Sequence, residues 1–186
     1  TLEGKFIKNL SLAQSKIADT DIDSAGNIYG VSIIKEGENI RYELKKFDAK
    51  LNYLYSLDSA PYPTTSQELV NPFRGSLRFD ITKSDQIITG FPKKYELKIF
   101  DSKGKLIRKI IKEYVPLKIT KEEIKERTKG RPPLDEISLP QYDPPFLSLM
   151  ADDEGRIFVR TWEKTEDTPA TSYDIFDSEA TSTAKL

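Results

Sequence analysis

Asp152-Asp153-Glu154-Gly155-Arg156-Ile157-Phe158 decides the fold, because the same step occurs twice more in the chain, as Asp23-Ser24-Ala25-Gly26-Asn27-Ile28-Tyr29 and as Thr82-Lys83-Ser84-Asp85-Gln86-Ile87-Ile88. In Asp-x-x-Gly the carboxylate accepts backbone N–H groups and the glycine takes φ > 0 at little cost, so the step reads as a tight turn into an apolar strand. Each copy leads to an aromatic-Asp pair: Phe47-Asp48, Phe100-Asp101 and Phe176-Asp177. Eighteen residues separate Tyr29 from Phe47 and Phe158 from Phe176, and twelve separate Ile88 from Phe100. One loop varies in length while its flanks hold. Asp101-Ser-Lys-Gly104 repeats the turn chemistry, whereas Asp48-Ala-Lys-Leu51 and Asp177-Ser-Glu-Ala180 lack the glycine and are expected to turn differently.

Around these turns apolar and polar residues alternate at period two, as in Tyr95, Leu97 and Ile99, so each copy is read as four short strands joined by hairpins. The expected first strands cover 17–23, 76–82 and 147–153, and the second 27–34, 86–91 and 156–162. The third cover 40–47, 94–100 and 172–176, and the fourth 51–57, 105–113 and 181–186. A four-stranded antiparallel repeat of about 40–50 residues is the blade of a β-propeller, which gives an all-β fold.

The Asp-x-x-Gly-Asn-Ile-Tyr turn at 23–29 and the Phe-Asp-Ser-Lys-Gly-Lys-Leu-Ile step at 100–107 resemble NHL-like six-bladed propellers. The segment from Pro144 to Trp162 is similar to a late blade of the bacterial secreted six-bladed β-propeller proteins, a group without assigned chemistry. The resemblance covers nearly the whole chain apart from 115–143. It implies a propeller fold and an extracytoplasmic (secreted or periplasmic) location, and it implies no activity.

Gly4-Lys-Phe-Ile-Lys-Asn-Leu10 matches Gly104-Lys-Leu-Ile-Arg-Lys-Ile110 in character, so residues 1–10 are expected to be the last strand of a preceding blade. The expected division of one propeller domain is then a blade at 11–58, a second at 59–114, a helix and Pro-rich insertion at 115–146 and a blade at 147–186. Closed propellers need four to eight blades, so the remaining blades are expected in the same longer chain, or else in a partner chain.

Lys plus Arg number 29 and Asp plus Glu 30, for a net charge of −1 and a pI near 5.7, which argues against a nucleic-acid partner. Ile, Leu, Phe and Val make up about a quarter of the residues, above the level of disordered chains. No apolar run is long enough to span a membrane. With no His and no Cys, this chain contains no Cys/His zinc set, no Ser-His or Cys-His nucleophile and no disulfide. No motif implies a cofactor.

Ile119-Thr120-Lys-Glu-Glu123-Ile124 carries a capping box and a hydrophobic staple, which predicts a short helix to about Thr128, ended by Gly130 before Pro132 and Pro133. Ser59 to Gly75, with Pro61, Pro63 and Pro72, reads as an irregular loop. Both long insertions, and the variable loops at Lys35–Asn39 and Glu163–Thr171, fall on one rim. Insertions gathered on one face of a repeat fold mark its binding face, while the Asp turns on the other rim read as structural.

The ligand-binding candidates on that rim are Arg160 and Trp162, at the end of a second strand, with Phe73 and Arg74 in the long loop. Together they offer a guanidinium fork for an anion and an aromatic platform for a sugar or peptide. Tyr62, Tyr114 and Tyr142 belong to the same class. The charged run Lys121–Arg127 reads as a solvated helix face. Asn9-Leu10-Ser11 is a glycosylation sequon. No residue is assigned a catalytic or metal-binding role.

Three functions remain open. The first is a non-enzymatic propeller that binds a protein, peptide or glycan through its insertion-bearing rim. The second is a calcium-dependent hydrolase or lyase of the lactonase-like kind, using acids such as Asp19 or Asp21 together with groups in further blades. The third is a structural subunit of a surface assembly.

Overall fold

The structure is a computed structural model that describes residues 11–12, 16–63, 75–129, 140–162 and 172–177. It is mostly β, with antiparallel sheets and one short helix among the described residues. The first sheet contains β1 (Ile17–Ile22), β2 (Ile28–Glu36), β3 (Asn39–Phe47) and β4 (Tyr53–Pro61). The second contains β5 (Arg78–Ile81), β6 (Ile87–Gly90), β7 (Glu96–Phe100) and β8 (Leu106–Ile111). After α1 (Lys121–Arg127), the third contains β9 (Ser148–Ala151), β10 (Ile157–Arg160) and β11 (Tyr173–Phe176). Strands in every sheet pair in sequence order, and the described sheets do not form a closed ring.

The eleven described strands fall within a few residues of their expected positions. The expected strands at 1–10 and 181–186, and the loop at 163–171, lie outside the described residues, as do Phe73, Arg74 and the Asn9 sequon.

The repeated register follows from the turns. Asp23, Asp48, Asp101 and Asp152 each accept, on Oδ1, the N–H groups two and four residues ahead, at 2.8–3.1 Å. In each, the fourth residue donates its N–H to the first carbonyl at 2.9–3.0 Å. At 82–86 the Thr82 hydroxyl takes the carboxylate's place and accepts from Gln86 N–H at 3.0 Å. The fourth residue has positive φ in all five turns: Gly26 (80°), Leu51 (68°), Asp85 (59°), Gly104 (83°) and Gly155 (78°). The expectation of a different turn at Asp48-Ala-Lys-Leu51 is therefore corrected. The Asp48 carboxylate bonds outweigh the left-handed strain on Leu51, which is about 1–2 kcal/mol.

Two further readings change. Ser59–Pro61 is not loop but the end of β4, where Pro61 lies opposite Arg41. Proline is tolerated there because β4 is the last strand of its sheet and needs no ladder donor on that side. Lys35–Asn39 is not an elaborate loop either, since Glu36 pairs with Asn39 across a two-residue turn and Gly37 adopts φ 61°.

Sheet 2 lies between the other two. One cluster joins Tyr29, Val31, Tyr42, Leu44 and Ala60 of sheet 1 to Ile87 and Phe100 of sheet 2. The other joins Ile88, Leu97, Ile99 and Ile110 of sheet 2 to Leu149, Ile157, Val159 and Phe176 of sheet 3, with Phe146 between them. Ile87 and Ile88 serve opposite clusters because neighbouring strand residues point to opposite faces. β1 lies against β5 and β5 against β9, so the sheets meet along their first strands.

Polar ties cross the same boundaries. Asp58 of β4 accepts from Thr89 Oγ1 at 2.6 Å and pairs with Lys98 Nζ at 2.7 Å. Asp174 of β11 does the same for the Tyr95 hydroxyl and Lys112. Asp80 of β5 accepts Ala151 N–H of β9 at 2.7 Å.

Candidate functional site

Antiparallel meanders place alternate connections at opposite ends, and the two ends of this molecule differ in chemistry. Among the described residues, five near-identical Asp and Thr turns lie at one end. They meet the neighbouring sheet: Asp85 accepts from Ser24 N–H at 2.8 Å, and Tyr55 of β4 donates to the Ser102 carbonyl of the 101–104 turn at 3.0 Å. With their carboxylates bound to backbone, these turns serve as structure.

Lys46, one of the most buried charges at that end, was not singled out in the sequence. Its Nζ lies 3.2 Å from Asp23 Oδ2 and 2.9 Å from Ser102 carbonyl, over the Tyr29 ring at 5.0 Å. Burial works against both charges. The hydrogen bonds outweigh it, so the Lys46 ammonium titrates above its usual range and the Asp23 carboxyl below it. Burial pushes the Tyr29 hydroxyl up to about 12. Pairing shows the signal that could have revealed Lys46: it stands opposite Tyr29, where Ile99 stands opposite Ile88 and Ile175 opposite Phe158.

The other end carries the β2–β3 hairpin, the Phe91–Tyr95 connection, the described flanks of the two long insertions and α1. The helix has its expected capping box, with Thr120 Oγ1 accepting Glu123 N–H at 3.2 Å. Lys121, Glu122, Lys125 and Glu126 are exposed as expected, but Glu123 and Arg127 turn inward. Arg127 grips the buried Asp143 with both nitrogens, at 2.6 and 3.3 Å, and lays its guanidinium 3.8 Å over the Trp162 ring. Trp162 is thus half-buried with a cation from its own chain on one face. Arg160 is exposed at the last position of β10.

Of the tyrosines, Tyr62 meets Tyr42 in a tilted ring contact at 4.9 Å, Tyr114 packs on the second cluster and Tyr142 is exposed. Trp162, Asp143, Tyr114, Lys112 and Asp174 line one small cleft.

A larger groove, of about 240 Å³, opens between sheets 1 and 2 at this end. Ala60, Pro61 and Phe91 give it an apolar wall; Asp58, Thr89 and Lys98 form its polar wall; Lys93 and Lys94 are exposed at its mouth. Asp58 is neutralised by Lys98, and Glu96 by Lys109 at 3.0 Å. The two mouth lysines therefore leave the groove net positive.

On the inner strands, Asp21 bonds the N–H of Ile22 at 2.7 Å and lies beside Asp80, whose carboxyl is pushed up by burial and by Asp21. Asp19 is exposed, with φ 50°. Among the described residues no three acidic side chains converge as metal ligands, and no helix is long and apolar enough to cross a membrane.

No model of a known protein family matches this chain, and comparison with curated proteins finds no match.

Proposed function

We propose that the chain is part of a non-enzymatic, extracytoplasmic β-propeller that binds a protein, peptide or glycan through the end carrying its insertions. Three meandering sheets that meet along their first strands support the propeller reading. The observation that carries the binding role is the difference between the ends: one consists of repeated hydrogen-bonded turns around a polar hollow of about 280 Å³ at Lys83, Gln86 and Glu154, while the other bears α1, the apolar-walled groove and the exposed Arg160.

The test is selection from peptide and glycan arrays on the immobilised protein, followed by affinity measurement with Arg160→Glu at the insertion-bearing end and Lys83→Glu at the turn end. Both side chains are exposed, so neither change disturbs the core. Selected ligands should weaken with the first variant and not the second. Sensitivity to Lys83→Glu alone would overturn the reading.

The Asp21–Asp80 pair favours a second reading, a calcium-dependent hydrolase or lyase completed by groups elsewhere. Calorimetry with calcium separates the two: heat of binding lost in Asp21→Asn supports the second, and its absence the first.

A further inference from the structure

We infer that the groove between sheets 1 and 2 holds an acidic peptide, with one apolar side chain against Ala60, Pro61 and Phe91 and a neighbouring Asp or Glu between Lys93 and Lys94. The inference rests on the reading that the insertion-bearing end is the binding end, and it names the site and the ligand class there.

The charge pattern comes first. Every carboxylate lining the groove already has a cation: Asp58 has Lys98 at 2.7 Å and Glu96 has Lys109 at 3.0 Å. Lys93 and Lys94 are exposed; Lys94 lies within electrostatic reach of Glu96, which Lys109 already pairs, so the mouth keeps a net positive charge and its field favours an incoming anion. Their backbone is fixed for the purpose. Lys93 N–H donates to Phe91 carbonyl at 2.7 Å, which holds both residues in a tight turn on the groove's lip.

Size and shape come second. At about 240 Å³ the groove lies below the roughly 300–1,000 Å³ of pockets that enclose a small-molecule ligand. It suits one or two side chains of a longer chain that continues outside.

The polar wall comes third. Asp58 is tied to Thr89, Lys98 and its neighbouring Ser59 N–H, so the wall is preorganised and presents no unpaired buried charge to an apolar guest.

The experiment titrates the isotopically labelled protein with three probes: an acetylated hexapeptide alternating Glu and Leu, its Lys-Leu counterpart, and acetyl-glutamate. The Glu-Leu peptide should bind saturably, shift the amide signals of 58–60, 89–91 and 93–98, and weaken as salt screens the lysines. Lys93→Glu/Lys94→Glu should weaken it by about tenfold or more. Ser59→Trp, which fills the groove without altering charge, should weaken it comparably.

Equal binding of the Lys-Leu peptide, or indifference to both variants, overturns the site. Equal binding of acetyl-glutamate overturns the peptide and leaves a free carboxylate as the ligand. Loss of binding with Arg160→Glu but not with the lysine pair moves the site elsewhere on the same end. Loss with Lys83→Glu alone refutes the choice of end itself.

Discussion

Replacing Lys46 by Met tests how sheets 1 and 2 are held together. Met keeps most of the apolar stem and removes only the ammonium, which is bonded to Asp23 and to Ser102 carbonyl. Both side chains are nearly inaccessible, at 6% and 2%. Removing one partner of a buried pair costs about 3–5 kcal/mol, because the other charge stays buried. Asp23 retains its bonds from Ala25, Asn27 and Tyr29, and Ser102 carbonyl retains the Tyr55 hydroxyl, which places the loss at the lower end of that range. Against a total stability of about 5–15 kcal/mol, a loss of about 3 kcal/mol is large.

Urea unfolding followed by far-UV circular dichroism should show the midpoint fall at unchanged slope. In an Asp23→Asn background the same replacement should cost less, and the cycle should yield a coupling of about 1–3 kcal/mol. The sign against pH is fixed by the two shifts. The raised Lys46 gives stability that is full below its unfolded value of 10.5 and is lost as pH rises through its folded value. The lowered Asp23 gives stability that is full above 3.8 and is lost as pH falls through its folded value. A loss under about 1 kcal/mol, with coupling near zero, would refute the reasoning and make the pair incidental to packing.

Leu51→Gly should stabilise by about 0.5–1 kcal/mol, since about 1–2 kcal/mol of left-handed strain exceeds glycine's extra backbone entropy; the melting temperature should rise by about 1–4 °C. Gly26→Ala should do the reverse through strain alone, because its added Cβ meets only Ala49 Cβ at 4.0 Å. Asp80→Asn leaves either Ile81 N–H or Ala151 N–H without its acceptor and so should lower the melting temperature, but its clearer signature is in the pH dependence. The wild-type carboxyl is raised, so wild-type stability grows as pH falls from its folded value toward 3.8, and thermal scans of the variant should lack that rise. Arg127→Met should cost about 3 kcal/mol by stranding buried Asp143. It should also shift the emission of Trp162, the only tryptophan, because the guanidinium leaves its ring.

The strands and their order were legible because turn chemistry and period-two alternation are local signals. Asp23, Asp101 and Asp152 announce their turns by spacing alone. The Leu51 turn was hidden because a carboxylate two to four residues away can impose a backbone conformation that its own residue type disfavours. Ser59–Pro61 was hidden because proline marks loops generally and is harmless only at a sheet edge, and edges are a property of assembly.

The candidate site was less legible than the strands. Arg160 and Trp162 stand where the alternation puts them, but Trp162 is met by Arg127, more than thirty residues away in sequence, and no spacing rule couples those positions. Lys93 and Lys94 look like any surface pair until β4 is set beside them. Asp58 and Lys98 become partners only when two sheets stack.

Sheet 2 supplies residues to both apolar clusters, whereas each neighbouring sheet supplies one. In a stack held by nearest-neighbour contacts, an outer unit can open while the boundary on the far side survives, but the middle unit can open only by breaking both. Amide hydrogens of Ile87–Gly90 and Glu96–Phe100 should therefore exchange with solvent most slowly, through global unfolding alone, while those of β9 to β11 escape through a cheaper, partial opening. Any proteolytic or thermal loss that begins at the third sheet would leave the first two joined, with the groove between them intact.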